Sequence, residues 1–214
     1  SYAGYALTAA RSYAQAERHF LEARRINPEL DVTDGLDKLG AKLYAASEAK
    51  EIKLAQVRDF FARITEAMPD HADWWNNLGL FARDTECYDQ SYAAYDKAVA
   101  LEPDNARFLN DRALILFYHL NRDLDKAEGD FKHAIALGRK EFADTKDEVK
   151  KDDAFTAFTD ALVNLARLYH KQNRTAECRA TLEELLKDEP GRQEGIELRA
   201  QLEDEAAALP QKGE

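Results

Sequence analysis

The side chains of this chain that could hold a metal ion, relay a proton or attack an electrophile are five histidines, two cysteines and 41 acidic residues. The histidines are His19, His71, His119, His133 and His170, and no two of them stand four residues apart. Neither Cys-x2-Cys nor His-Glu-x2-His occurs, so no metal site is expected. A dinucleotide would call for Gly-x-Gly-x2-Gly or a phosphate-cradling loop, and an acyl-transfer serine for Gly-x-Ser-x-Gly. All are missing. Carboxylates are plentiful, but on helical surfaces a carboxylate pair ordinarily serves solvation or salt bridging. We therefore expect no catalytic residue, no metal and no cofactor.

Charge and composition narrow the partner. The net charge is −11, with no basic stripe to neutralise phosphates, which argues against nucleic acid. No run of about 18 apolar residues exists, so no membrane insertion is expected. The chain has no basic-then-apolar leader at its start. An apolar content of 45% beside 33% charged residues suits a thin, mostly helical body. Cys87 and Cys178 fall in distant parts of the pattern described next, outside disulfide range. Two unpaired thiols fit a reducing compartment, and the cytoplasm is the expected location.

The elements that position side chains here are repeated. With Ala72 as position 1 and Asn105 as position 34, Trp75 is at 4, Leu78 at 7, Gly79 at 8, Ser91 at 20, Tyr95 at 24, Ala98 at 27 and Pro103 at 32. Positions 4, 7, 8 and 11 lie on one stripe of a first helix, and 20, 24 and 27 on one stripe of a second. Gly79 and Ser91 let the two axes approach, and Pro103 turns the chain into the next unit. This pattern resembles the tetratricopeptide repeat, whose 34-residue period carries large residues at 4, 7, 11 and 24 and small ones at 8, 20 and 27.

Variants of the unit cover residues 1–190. Gly4, Ala16, Phe20, Ala23 and Pro28 take positions 8, 20, 24, 27 and 32 of a first unit, truncated because the chain opens at its position 5. That opening suggests a piece of a longer protein. Leu36-x2-Leu39-Gly40-x2-Leu43 starts a second unit, which Val57, Phe61, Ile64 and Pro69 complete if the inter-helix connection is about five residues longer than usual. A fourth, with Leu109, Ala113, Leu116, Ala127, Phe131 and Ala134, is two residues longer near Asn121-Arg122. Leu162, Leu165, Ala166, Tyr169, Cys178, Leu182, Leu185 and Pro190 make a fifth.

Two departures stand out. Position 7 of the fourth unit is Arg112, which requires either a local register shift or an acidic partner nearby. Residues 138–152 fit no repeat position and read as a charged linker or an extra exposed helical turn, where the stack would bend or loosen. The expected organisation is a truncated unit at 1–30, units at 31–71, 72–105 and 106–141, a charged linker at 142–158, and a unit at 159–192. A capping helix at 193–209 and a tail at 210–214 follow. The stretch 188–214 holds eight acids against three bases. A solvated polar face on the cap is the plainer reading, and recruitment of a basic partner the sharper one.

The resemblance implies an all-α fold: an α-solenoid wound as a right-handed superhelix, about five units plus a capping helix. It also implies that positions 2, 5, 9, 12 and 13 of the first helices line a concave groove for a protein or peptide partner. Those positions supply Tyr44 from the second unit and Asn76, Leu80 and Arg83 from the third. The fourth gives Arg107, Asn110, Leu114, Phe117 and Tyr118, and the fifth Arg167 and His170. Asn76 and Asn110 share one position, and such amides can hold an extended backbone through donor and acceptor together. Leu114, Phe117 and Tyr118 fit groove and core equally. Trp75 is expected in the core, with Trp74 pointing elsewhere.

Family members that grip heat-shock chaperone tails use Lys at 5 and Asn at 9, then Asn at 6, then Lys at 2 and Arg at 6. Here the corresponding residues are Asp37, Ala41, Asn77, Arg107 and Asp111, so heat-shock chaperone C-terminal tails are not an expected ligand. The leading expectation is a non-catalytic protein–protein interaction scaffold. Two alternatives are self-association through an apolar edge around Leu7 and Phe20 of the truncated unit, and a recruiting segment of a larger enzyme.

Overall fold

A computed structural model describes residues 2–208, with side chains described from residue 12 onward. All regular structure among them is helical. The chain divides at Glu102/Pro103 into two compact units. The first holds α1 (Tyr2–Ile26), α2 (Thr33–Glu48), α3 (Leu54–Ala67), α4 (Ala72–Asp84) and α5 (Tyr88–Leu101). The second holds α6 (Ala106–Leu114), a π-helical stretch (Ile115–Leu120), α7 (Leu124–Asp144), α8 (Glu148–Lys171), α9 (Thr175–Asp188) and α10 (Gln193–Ala208). The expected side chain of Leu7, residue Leu209 and the tail at 210–214 lie outside the described residues.

In the first unit the small residues act as the spacing predicts. A Cβ on Gly79 would lie 2.6 Å from the Tyr95 ring, so α4 and α5 could not keep their separation with any larger residue. The Ser91 hydroxyl donates to the Gly79 carbonyl at 2.7 Å, which satisfies a buried polar group at the same contact. Phe61 stacks on Phe81 at 5.4 Å and meets Phe60 edge-on at 5.1 Å, closing a core with Leu36, Val57 and Ile64. The five extra residues of this repeat are shared out: α2 is 16 residues long against 13 for α4, and the connection at 49–53 is longer than that at 85–87.

Three first helices end in the same turn without a glycine. Lys50, Glu86 and Asn173 adopt φ of 60°, 61° and 59°. In each case the residue after the left-handed one donates to a carbonyl five residues back: Glu51 to Ala46, Cys87 to Ala82, and Arg174 to Tyr169. This Schellman arrangement satisfies carbonyls that the helix leaves open.

The fourth repeat breaks that rule, and of the two readings of Arg112 the acidic partner holds. Its guanidinium pairs with both Asp130 oxygens at 2.8 Å, inside the second unit. Directly after it the chain widens into the π-helix, and Arg122 donates to Leu116, six residues back. The wider turn absorbs an inserted residue and re-aims the side chains within it.

Two expectations need correction, and residues 138–152 follow the helical one of the two readings given for them. Gly4 and Ala16 do not lie on separate helices, because α1 runs unbroken between them; the intervening Ala-rich sequence has no Pro or Gly to stop it. Trp74, not Trp75, is the core residue at 2% exposure; its ring lies 4.1 Å from His71 and its indole N–H donates to Asp37 at 2.6 Å. Trp75 is half-buried and donates to the Pro69 carbonyl at 2.8 Å. Residues 138–152 are mostly helical, with a break only at 145–147, where Asp147 caps α8 by accepting from Val149 N–H at 3.0 Å. Gly138 is an interhelical contact there, since a Cβ would lie 2.9 Å from Phe158.

Candidate partner-binding faces

In the first unit, α2 and α4 carry the candidate residues. Tyr44 is 46% exposed, its ring 5.5 Å from Phe81. Asn76, Leu80 and Arg83 stand at i, i+4 and i+7 on one stripe of α4. Leu80 is half-buried against the core, and the Arg83 guanidinium pairs with Asp84 at 2.9 Å. Asn76 is buried at 5% exposure, and its side-chain carbonyl oxygen has no hydrogen-bond partner among the described residues.

In the second unit, α6, the π-helix and α8 bring three candidates together through a fourth residue. Arg167 donates to the Tyr118 hydroxyl at 3.3 Å, Tyr118 donates to the Asn164 carbonyl oxygen at 3.2 Å, and the Asn164 amide donates to Asn110 at 3.1 Å. Asn164 was not among the sequence candidates. Its signal was a polar amide inside the apolar run Ala161 to Ala166, where burial demands a partner.

The remaining candidates diverge. Tyr118 is 41% exposed, whereas Phe117 is buried beneath it with ring centroids 4.4 Å apart. Phe117 is therefore a core residue, turned inward within the π-helix, with the Lys171 ammonium 5.1 Å from its ring centre. Leu114 is half-buried. Arg107 is exposed and lies over the Phe108 ring at 5.2 Å. His170 contacts Glu205 of α10 at 3.1 Å, and this hydrogen bond holds the Glu205 carboxyl below the usual carboxylate range. Asp160, another first-helix position, pairs with Arg192 at 2.6 Å.

These faces carry amides, a phenol, guanidinium groups and apolar side chains. The described residues contain no group of three His, Cys, Asp or Glu placed to hold a metal. No described helix is long and apolar enough to cross a membrane. Cys87 and Cys178 are free thiols.

Two family models, both described as tetratricopeptide repeat, match residues 72–105 and 120–202, together more than half of the chain. No curated protein matches it. Among solved structures, MamA (41-end) from Desulfovibrio magneticus RS-1 superposes with a TM-score of 0.57 at 15% identity, covering 90% of this chain and 95% of that one. The Yersinia enterocolitica type III secretion translocator chaperone SycD gives 0.53 at 18% identity, covering 68% and 90%. The Arabidopsis OM64 TPR domain gives 0.51 at 16%, covering 63% and 95%. At these identities the likeness is one of fold: an all-α helical-repeat solenoid.

Proposed function

Because the chain belongs to the tetratricopeptide-repeat family, we propose that it is a non-catalytic scaffold holding an extended or helical segment of another protein against its first-helix faces. The observation that carries this reading is Asn76. A buried acceptor without a donor costs about 1–3 kcal/mol, and native interiors rarely keep one. A rotation that brings its amide to the surface would let a bound segment supply that donor, on a face where Tyr44, Leu80 and Arg83 offer apolar and cationic contact. In the second unit, the Arg167–Tyr118–Asn164–Asn110 chain fixes the orientation of its amides before any partner arrives, which lowers the entropy lost on binding. That SycD is a translocator chaperone is in keeping with such work.

The test is site-specific photocrosslinking from position 44, in the same unit as Asn76, in native extract, with mass spectrometry of the adducts. Proteins crosslinked by the wild-type chain are expected to disappear with Asn76→Leu, at unchanged helicity. Identical adducts from both would overturn the assignment.

A further inference from the structure

Neither face uses the stretch that fits no repeat position. There α7 and α8 run to 21 and 24 residues, against 13 and 14 for α4 and α5, and meet in a projecting corner. Three rings pack in it: Phe142 to Phe155 at 5.6 Å, Phe142 to Phe158 at 6.0 Å and Phe155 to Phe158 at 5.3 Å. Phe158 is buried, Phe142 and Phe155 are half-buried, and Val149 is 71% exposed. Phe142, Val149 and Phe155 floor an open depression of about 520 Å³.

The rim is acidic. Glu148, Asp152 and Asp153 are exposed, and none is in an ion pair with a described residue. Glu148 sits in the first turn of α8, where the helix dipole favours a carboxylate, but that effect fades within one turn and does not account for Asp152 and Asp153. The chain's own Lys151 ammonium lies 5.3 Å from the Phe142 ring centre, so this aromatic surface already receives a cation.

We propose that the corner docks a segment of another protein in which an aliphatic or aromatic side chain is flanked by lysine or arginine. The apolar side chain covers Val149 and the exposed edges of Phe142 and Phe155, and the flanking cations meet Asp152 and Asp153. This surface shares no residue with the first-helix faces, so it stands or falls apart from the function proposed above.

The full chain is titrated with the fluorescein-labelled peptide Gly-Lys-Leu-Phe-Arg-Lys-Gly at physiological salt, read by anisotropy. A matched peptide with glutamate at each basic position serves as control. The expected result is saturable binding of the basic peptide, weakened at least tenfold by Val149→Glu and by Asp152→Asn with Asp153→Asn, at unchanged circular dichroism. The acidic peptide should bind at least tenfold more weakly. Absence of binding overturns the proposal. So does equal binding by all variants, which would reduce the effect to the net charge of the chain. Light scattering covers the remaining occupant: a dimer dissolved by Val149→Glu would mean that a second copy sits there, and the proposal falls.

Discussion

Asn76 in the first compact unit and Asn110 in the second hold the same repeat position. Asn76 is buried with an unpartnered carbonyl oxygen, whereas Asn110 is half-exposed and accepts from Asn164. The interiors behind them differ as well. Between α2 and α5 the first unit is closed by stacked rings and by a glycine under Tyr95. The second unit buries the Arg112–Asp130 pair and clusters Glu128 with Arg174, Lys132 and Tyr169. A repeat specifies where side chains project and leaves open what balances them. Where polar groups balance each other, they contribute to folding. Where one is left over, as at Asn76, it adds nothing to folding and is the group assigned above to a partner.

The largest test of this contrast removes half of the buried pair. Arg112→Ala should cost about 3–5 kcal/mol in urea unfolding, because Asp130 is left charged and largely buried. The joint change Arg112→Met with Asp130→Leu should recover most of that loss. Failure to recover it would mean that the pair supplies more than mutual neutralisation.

A smaller effect comes from acid. Glu128 is held down to about 2, chiefly by its hydrogen bond from Arg174, with Lys132 and Tyr169 adding to it against the cost of burial. A carboxyl whose folded pKa lies below its unfolded value stabilises fully above the unfolded value, about 4.3. That stability drains away as pH falls from there toward 2. Glu128→Gln should therefore destabilise by roughly 2 kcal/mol at neutral pH and by almost nothing at pH 2. Parallel acid limbs for the two proteins would contradict the cluster.

The smallest test returns to the asparagines. Asn110→Ala should cost about 1 kcal/mol, since it strips the Asn164 amide of its acceptor. Asn76→Leu should leave stability within about 0.5 kcal/mol or raise it, because no bond is lost. Equal losses at both positions would erase the distinction between a structural and an unfulfilled amide.

The sequence makes the repeat legible because Gly79, Ser91 and Pro103 act through backbone approach and chain termination, and those effects depend only on spacing. What it hides depends on neighbours. Trp74 and Trp75 are adjacent and equally apolar, and which one is enclosed depends on the face of α4 that neighbouring helices cover, with Asp37 accepting from one and the Pro69 carbonyl from the other. Phe117 could not be assigned because the π-helix that turns it inward has no local sequence signal. Asn164 escaped for a related reason: its value lies in linking Tyr118 to Asn110, and that link exists only once α6 and α8 pack.

The π-helix also bears on how such a chain can change over generations. An inserted residue in an ordinary helix would re-aim every side chain after it, and most such insertions would be lost. Here the extra length is confined between Ile115 and Arg122, and Ala127, Phe131 and Ala134 still reach fully buried sites in α7. Widened turns of this kind let a repeat gain length one residue at a time while the packing downstream is inherited intact.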